Sequence, residues 1–185
     1  MKLVRGWKTL ASMIVCLALV GCATLAVSQS TAQQPAAETS VKVRQYFGAK
    51  VVSVLSEATR VEAFRVDPKS QQDWPNGQAH EINAESAAKL ASVLLDEKTY
   101  RWEAGKPIGL RCIFEPAVAY RFWKGKESVS VLVCFKCGEV SFIPDNADDK
   151  GNPWYRAIAA KLRPEIMQLT KQTFPDDQVI QALKD

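Results

Sequence analysis

Histidine is nearly absent from this chain: His80 is the single imidazole in 185 residues. It follows Trp74-Pro75-Asn76-Gly77-Gln78 in a polar stretch, where a surface role fits better than catalysis. No GxSxG, Walker A, HExxH or Rossmann glycine pattern occurs, so the common motif-bearing enzyme classes lack their signatures. A second CxxC is missing too. A closed four-ligand zinc site would therefore need Cys112 and His80, from unrelated segments, beside Cys134 and Cys137. Residues 145–152, DNADDKGN, lack the alternating ligand spacing of an EF-hand loop and read as a solvated turn. No internal repeat is present. Nor is there an excess of one charge. Of 24 basic side chains, Lys2, Arg5 and Lys8 belong to the N-terminal head, and 20 acidic ones oppose the rest. The remainder is near neutral, with no basic stripe for nucleic acid.

What is present begins with an export signal. Leu10 to Val20 form an apolar run behind the basic head, of signal-peptide rather than membrane-spanning length. The run ends in Leu19-Val20-Gly21-Cys22, which resembles the lipobox of bacterial lipoproteins. That resemblance implies cleavage before Cys22, thioether lipidation of its sulfur and N-acylation of the new terminus. Acyl chains would then anchor the protein to a membrane, each buried methylene contributing about 0.8 kcal/mol. Ala23 is not the aspartate that resembles an inner-membrane retention signal, which implies the outer membrane in a cell that has one. The alternative is a secretory signal cut after Ser28 or Ala32, giving a secreted soluble protein. The expected organisation is a signal peptide at 1–21, the lipidated cysteine and a flexible tether at 22–40, and a globular domain at 41–185.

Within that domain, Ala49 to Leu55 and Arg60 to Val66 are rich in β-branched residues around a Ser-Glu-Ala-Thr turn, which predicts a hairpin. Asn83 suits a helix N-cap, and Ala87, Leu90, Ala91 and Leu94 recur at helical spacing. Four strand-like runs follow, LRCIF, AVAYRFWK, SVSVLVCF and EVSFI, and predict an antiparallel meander. Pro153 and Pro164 each suit the first turn of a helix, with Ile166, Leu169 and Phe174 apolar. Phe174-Pro175-Asp176-Asp177 closes that region, with an aspartate capping a last short helix. The fold class expected is α+β, a single domain with an antiparallel β-meander sheet and helices packed on one face.

Three of the five cysteines, Cys112, Cys134 and Cys137, lie in the meander. A tight turn at Gly125-Lys126 sets residue 122 opposite 129, 120 opposite 131 and 118 opposite 133. Val118, Tyr120, Phe122, Val129, Val131 and Val133 then share a core face. The other face carries Ala119, Arg121, Trp123, Ser128, Ser130, Leu132 and Cys134, with Arg121 and Trp123 in the neighbourhood of the thiol. Cys137 reaches Cys134 only if the strand ends or bulges at Phe135-Lys136, where Gly138 permits a turn. A tight hairpin through Glu115-Pro116 would leave Cys112 about 9–10 Å from Cys134, beyond the span of a disulfide. Pairing of LRCIF with the far side of the Cys134 strand would instead bring Cys112 beside Cys134 or Cys137. A zinc knuckle, a dithiol, a structural disulfide and buried packing thiols all remain open. Of the mature chain's tryptophans, Trp74, Trp102, Trp123 and Trp154, core roles are the simpler reading.

The combined pattern CxFxP…RF…VLVCFxC…FPDD resembles a group of uncharacterised bacterial exported proteins or lipoproteins. Here it is carried by Leu94, Leu95, Asp96, Tyr100, Cys112, Phe114 and Pro116. Arg121, Phe122, Cys134, Phe135, Cys137 and Phe174 to Asp177 complete it. The resemblance implies a shared domain and a cysteine cluster, not a reaction. The expectation is a non-enzymatic, membrane-tethered cell-envelope domain that binds a protein or small-molecule ligand, without nucleic acid and without cofactor. The alternative is thiol redox or zinc binding by Cys112, Cys134 and Cys137.

Overall fold

In the computed structural model, which describes residues 39–67, 77–103, 106–107, 113–145, 155–158 and 163–184, the first element is a helix, α1 (Val41–Ser56). Ser40 caps it by accepting a hydrogen bond from the Lys42 N–H, and its own hydroxyl donates to the Glu97 carboxylate. The remaining elements, in chain order, are strands β1 (Arg60–Arg65) and β2 (His80–Glu81), helix α2 (Ala84–Leu95), a 3-10 turn (Glu97–Thr99), and the short pair β3 (Trp102–Glu103) and β4 (Lys106–Pro107). After these come β5 (Val118–Lys124), β6 (Glu127–Cys134), β7 (Glu139–Pro144), β8 (Tyr155–Ile158), α3 (Arg163–Thr173) and α4 (Gln178–Gln181).

Six strands form one sheet in the order β2-β1-β5-β6-β7-β8, and every neighbouring pair is antiparallel. Strands β5 to β8 are the predicted kind of meander, and β1 closes the other side of β5. The predicted β5–β6 register holds: Val118 faces Val133, Tyr120 faces Val131 and Phe122 faces Val129. A one-residue slip of β6 would turn Val129, Val131 and Val133 away from the face that Val118, Tyr120 and Phe122 share, which is why the alternation specifies the pairing. Gly125 supplies the positive φ of the connecting turn, at 59°.

The four helices of the described residues all contribute to a core on one sheet face, so the domain is α+β with these helices on that face. Val43, Phe47, Val51 and Leu55 from α1, Leu90 and Leu94 from α2, Ile166 from α3 and Ile180 from α4 bury against the strand residues. Phe47 packs at 4.5 Å on the Phe142 ring. Tyr120 is fully buried beneath α3, where its hydroxyl meets Thr170 Oγ1 at 2.6 Å. Thr170 spends its own proton on the Ile166 carbonyl, so Tyr120 is the donor. Burial raises the Tyr120 pKa above the ordinary tyrosine value, with the Thr170 bond opposing, so the phenol stays protonated. The Asn83 cap, Pro164 in the first turn of α3 and the Asp177 cap of α4 are also as expected.

Three expectations are corrected. Ala49 to Leu55 are the second half of α1, not a strand, so the hairpin with Arg60 to Val66 does not form. Their valines misled: buried Val43, Phe47, Val51 and Leu55 recur every four residues, a helical period that the run of valines conceals. Residues 155–158 form the edge strand β8 rather than the helix expected after Pro153, which itself lies outside the described residues. Finally, Ile113 and Phe114 of LRCIF are not in a strand, while Leu110, Arg111 and Cys112 lie outside the described residues. Both sheet positions considered for that run are occupied: β1 lies beside β5, and β7 takes the far side of β6.

Candidate functional site

The sheet face turned away from the helices follows from the same alternation that builds the core. It presents Arg60, Glu62 and Phe64 from β1 and Ala119, Arg121 and Trp123 from β5. Ser128, Ser130, Leu132 and Cys134 come from β6, and Glu139, Ser141 and Ile143 from β7. This face has two halves with different chemistry.

The half over β1 and β5 is charged and aromatic. Glu62 is the direct cross-strand neighbour of Arg121, yet its carboxylate is committed elsewhere. It accepts a 2.6 Å hydrogen bond from Trp123 Nε1 and lies 3.6 Å from the Arg60 guanidinium. Arg60 also sits over the Trp123 ring, 5.0 Å from its centroid. The Arg121 guanidinium lies between two rings, 5.3 Å from that of Phe64 and 5.6 Å from that of Trp123. Its Nε donates to Ser130 Oγ at 3.2 Å. Burial lowers the Arg121 pKa from the ordinary arginine value, while the Glu62 charge pulls the other way; the group remains a cation.

The end of this face that carries Phe64, Ala119, Leu132 and Cys134 is closed. Ala119 and Leu132 form a small second core with Phe64 and Val66, and Phe114 and Ile143 pack against it. Cys134, Glu139 and Ser141 are fully buried. The Ser141 hydroxyl has no hydrogen-bond partner, alone in this among the buried side-chain polar atoms of the described residues.

The cysteines divide between two states. Cys134 is a free, buried thiol at the end of β6, with Glu139 as its cross-strand neighbour. The strand stops there, and residues 135–138 turn with Gly138 at φ 65°, the turn that Gly138 was expected to permit. Cys137 is disulfide-bonded. Its sulfur is therefore neither a thiolate for a metal nor a partner for Cys134. It lies 3.5 Å from the Ile113 carbonyl oxygen, and Lys136 pairs with Glu115 at 3.1 Å, so the 113–116 segment is held against this turn. Cys112 and Cys22 lie outside the described residues.

Arg121 and Trp123 share a face with Cys134 but are not in contact with it. Arg121 is opposite Ser130, four residues up the strand from Cys134, or about 13 Å, with Ala119 and Leu132 between them. His80 is farther still from the thiol: it lies in β2, three strands from β6, with its ring 4.8 Å from that of Phe174. Among the described residues, no three His, Cys, Asp or Glu side chains converge as a metal site would require. Trp102 packs against Tyr46 and Tyr100, a core-side role, and Trp74 and Trp154 lie outside the described residues. On the helix layer, a groove of about 220 Å³ runs between α2 and α3, lined by Glu85, Lys89, Val93, Glu165 and Leu169 among others.

The sequence had singled out Arg121 and Trp123 without Arg60, Glu62 and Phe64, which join them only through the β1–β5 pairing. The alternation in Arg60 to Arg65 placed these three on one face, but nothing local named β5 as the neighbour. The class defined is thus an α+β domain with helices on one sheet face and an arginine–aromatic patch on the other. No protein-family model, no curated protein and no solved structure matches this chain.

Proposed function

We propose that this chain is an exported lipoprotein, anchored through Cys22, whose α+β domain binds a ligand on the sheet face that carries Arg121 and Trp123. The observation that carries the binding role is the half-buried Arg121 guanidinium, set between two aromatic rings and partnered through only one of its nitrogens. Export is supported by the N-terminal signal and by the disulfide at Cys137, a bond that persists in oxidising compartments. We assign Cys112 as the partner of Cys137. The Ile113 carbonyl lies beside the Cys137 sulfur and residue 112 is its chain neighbour, while of the other two candidates Cys16 belongs to the signal and the Cys22 sulfur carries the lipid. No zinc or other cofactor enters this reading. The remaining partner is the membrane, met through the acyl chains.

A screen of mixed small organic molecules, mapped by backbone amide shifts on the mature protein, tests the binding role. Shifts are expected to cluster at Glu62, Arg121, Trp123 and Ser130. Clustering in the α2–α3 groove instead would contradict it. A thiol-exchange reading is favoured by one observation, the free Cys134 three residues before a disulfide-bonded Cys137. Attack by the Cys134 thiolate on the Cys137 sulfur would form a new disulfide and release the former partner as a thiol, with no net oxidation. Cys134 is fully buried, so this requires the end of β6 to open. Alkylation of native Cys134 at a rate near that of a free thiol would support exchange; resistance until denaturation refutes it.

A further inference from the structure

We propose that Arg121 is an anion-binding centre on the sheet face turned away from the helices, and that its ligand is the carboxylate of a small organic acid with a flat apolar body. The proposal deepens the binding reading above and rests on it.

Arg121 leaves most of its donors unused. A guanidinium has five N–H donors in a planar fork, and its two terminal nitrogens match the two oxygens of a carboxylate. Arg121 uses its Nε on Ser130, and its terminal nitrogens have no hydrogen bond or ion pair among the described residues. They are not sealed in either, since the one buried polar atom without a partner is the Ser141 hydroxyl. The nearest carboxylate in sequence register, Glu62, is drawn away by Trp123 Nε1 and Arg60.

The surroundings restrict how Arg121 can be approached. The Ser130 bond on Nε and the rings of Phe64 and Trp123 hold the guanidinium plane, so little side-chain entropy is lost on binding. Phe64 is buried beneath Arg121, and the partly exposed Trp123 ring gives an apolar wall beside a cationic centre. An acid whose carboxylate meets the fork and whose body lies along Trp123 satisfies both. Charge favours a single negative charge: Arg60 and Arg121 against Glu62 leave one net positive charge, which a monoanion neutralises and a phosphate dianion would exceed.

The test uses the full mature protein in non-ionic detergent, labelled with ¹⁵N, following the Arg121 Nε–H and Trp123 Nε1–H resonances. Benzoate, acetate, phosphate and N-acetylglycylglycine are each titrated against chloride at constant pH and ionic strength. Benzoate is expected to shift both resonances saturably, at lower concentration than acetate. Arg121→Gln should weaken that response by about tenfold or more, the usual consequence of losing a charge-assisted pair. Arg121→Lys, which keeps the charge but not the fork, should fall between. The amide fingerprint of each variant reports its fold, and the wild-type titration decides the matter even if a variant unfolds. Absence of a saturable shift with both benzoate and acetate overturns the proposal, as does an undiminished response in a folded Arg121 variant. Tighter binding of phosphate overturns the carboxylate assignment, and tighter binding of N-acetylglycylglycine moves it to a peptide terminus and overturns the small acid. A failed titration alongside screening hits elsewhere on this face would sink the Arg121 site and leave the binding domain standing.

Discussion

Arg65 joins three parts of the domain, and its removal is the sharpest stability test available. Its Nε lies 2.8 Å from Asp177 Oδ2, while one terminal nitrogen donates to the carbonyls of Val66 and Ala117, each at 2.6 Å. Asp177 in turn accepts from the N–H groups of Val179 and Ile180 as the cap of α4. Arg65→Ala removes a partly buried ion pair and two charge-assisted hydrogen bonds. The pair contributes about 1 kcal/mol, and the donors to carbonyls add about 1–3 kcal/mol, so a loss of roughly 2–4 kcal/mol is expected. Urea unfolding followed by circular dichroism, with an unchanged m-value, reads this directly. The pH dependence gives an independent check. Burial alone would raise the Asp177 pKa, but the Ile180 N–H, Arg65 and the Val179 N–H together hold it below the ordinary aspartate value. A depressed folded pKa means stability that is full above the unfolded value and lost as pH falls through the folded one. Arg65→Ala should flatten that acid-side loss while leaving the cap hydrogen bonds in place. A variant within 0.5 kcal/mol of wild type, on the order of an ordinary surface substitution, would refute the reasoning.

Other perturbations separate backbone, core and covalent contributions. Gly48 sits inside α1 at φ 82° and ψ 157°, a conformation open almost only to glycine, so Gly48→Ala should cost about 1–3 kcal/mol in the same unfolding assay. Ser141→Ala removes a buried hydroxyl that bonds to nothing, and should be neutral or stabilising by up to about 1 kcal/mol; a clear loss of stability would show that the hydroxyl has a role. Cys137→Ser opens the loop closed by the assigned Cys112 bond, about 26 residues long, which chain entropy values at about 3.5 kcal/mol. The midpoint of thermal unfolding, with and without reductant, measures it, and no difference in the wild type would contradict the bond.

How far the sequence could be read depended on whether the signal was local. The β5–β6 pair was legible because six alternating apolar residues flank one turn with a positive-φ glycine: an odd shift turns one strand's apolar set outward, and the turn length excludes even shifts. Asn83 and Asp177 were legible as caps for the same local reason. Helix α1 was not, because Val51, Val52 and Val54 favour strands intrinsically and become helical only through packing on the sheet. Strand β8 was hidden by a proline that suits a helix start equally well. The candidate site was half legible. Arg121 and Trp123 could be placed on one face, but Arg60, Glu62 and Phe64 reach it only by a pairing between segments some sixty residues apart. Cys134 shares that face, but the β5–β6 register sets it four residues along the strand from the position opposite Arg121.

The account rests most directly on the covalent state of the protein recovered from membranes, and peptide mapping by mass spectrometry under non-reducing conditions reads it in one measurement. The predicted result is a mature chain that starts at an acylated Cys22, carries a Cys112–Cys137 linkage, and has Cys134 alkylated only after denaturation. An unmodified N-terminus beyond Cys22, together with Cys112 and Cys137 both recovered as free thiols, would contradict it.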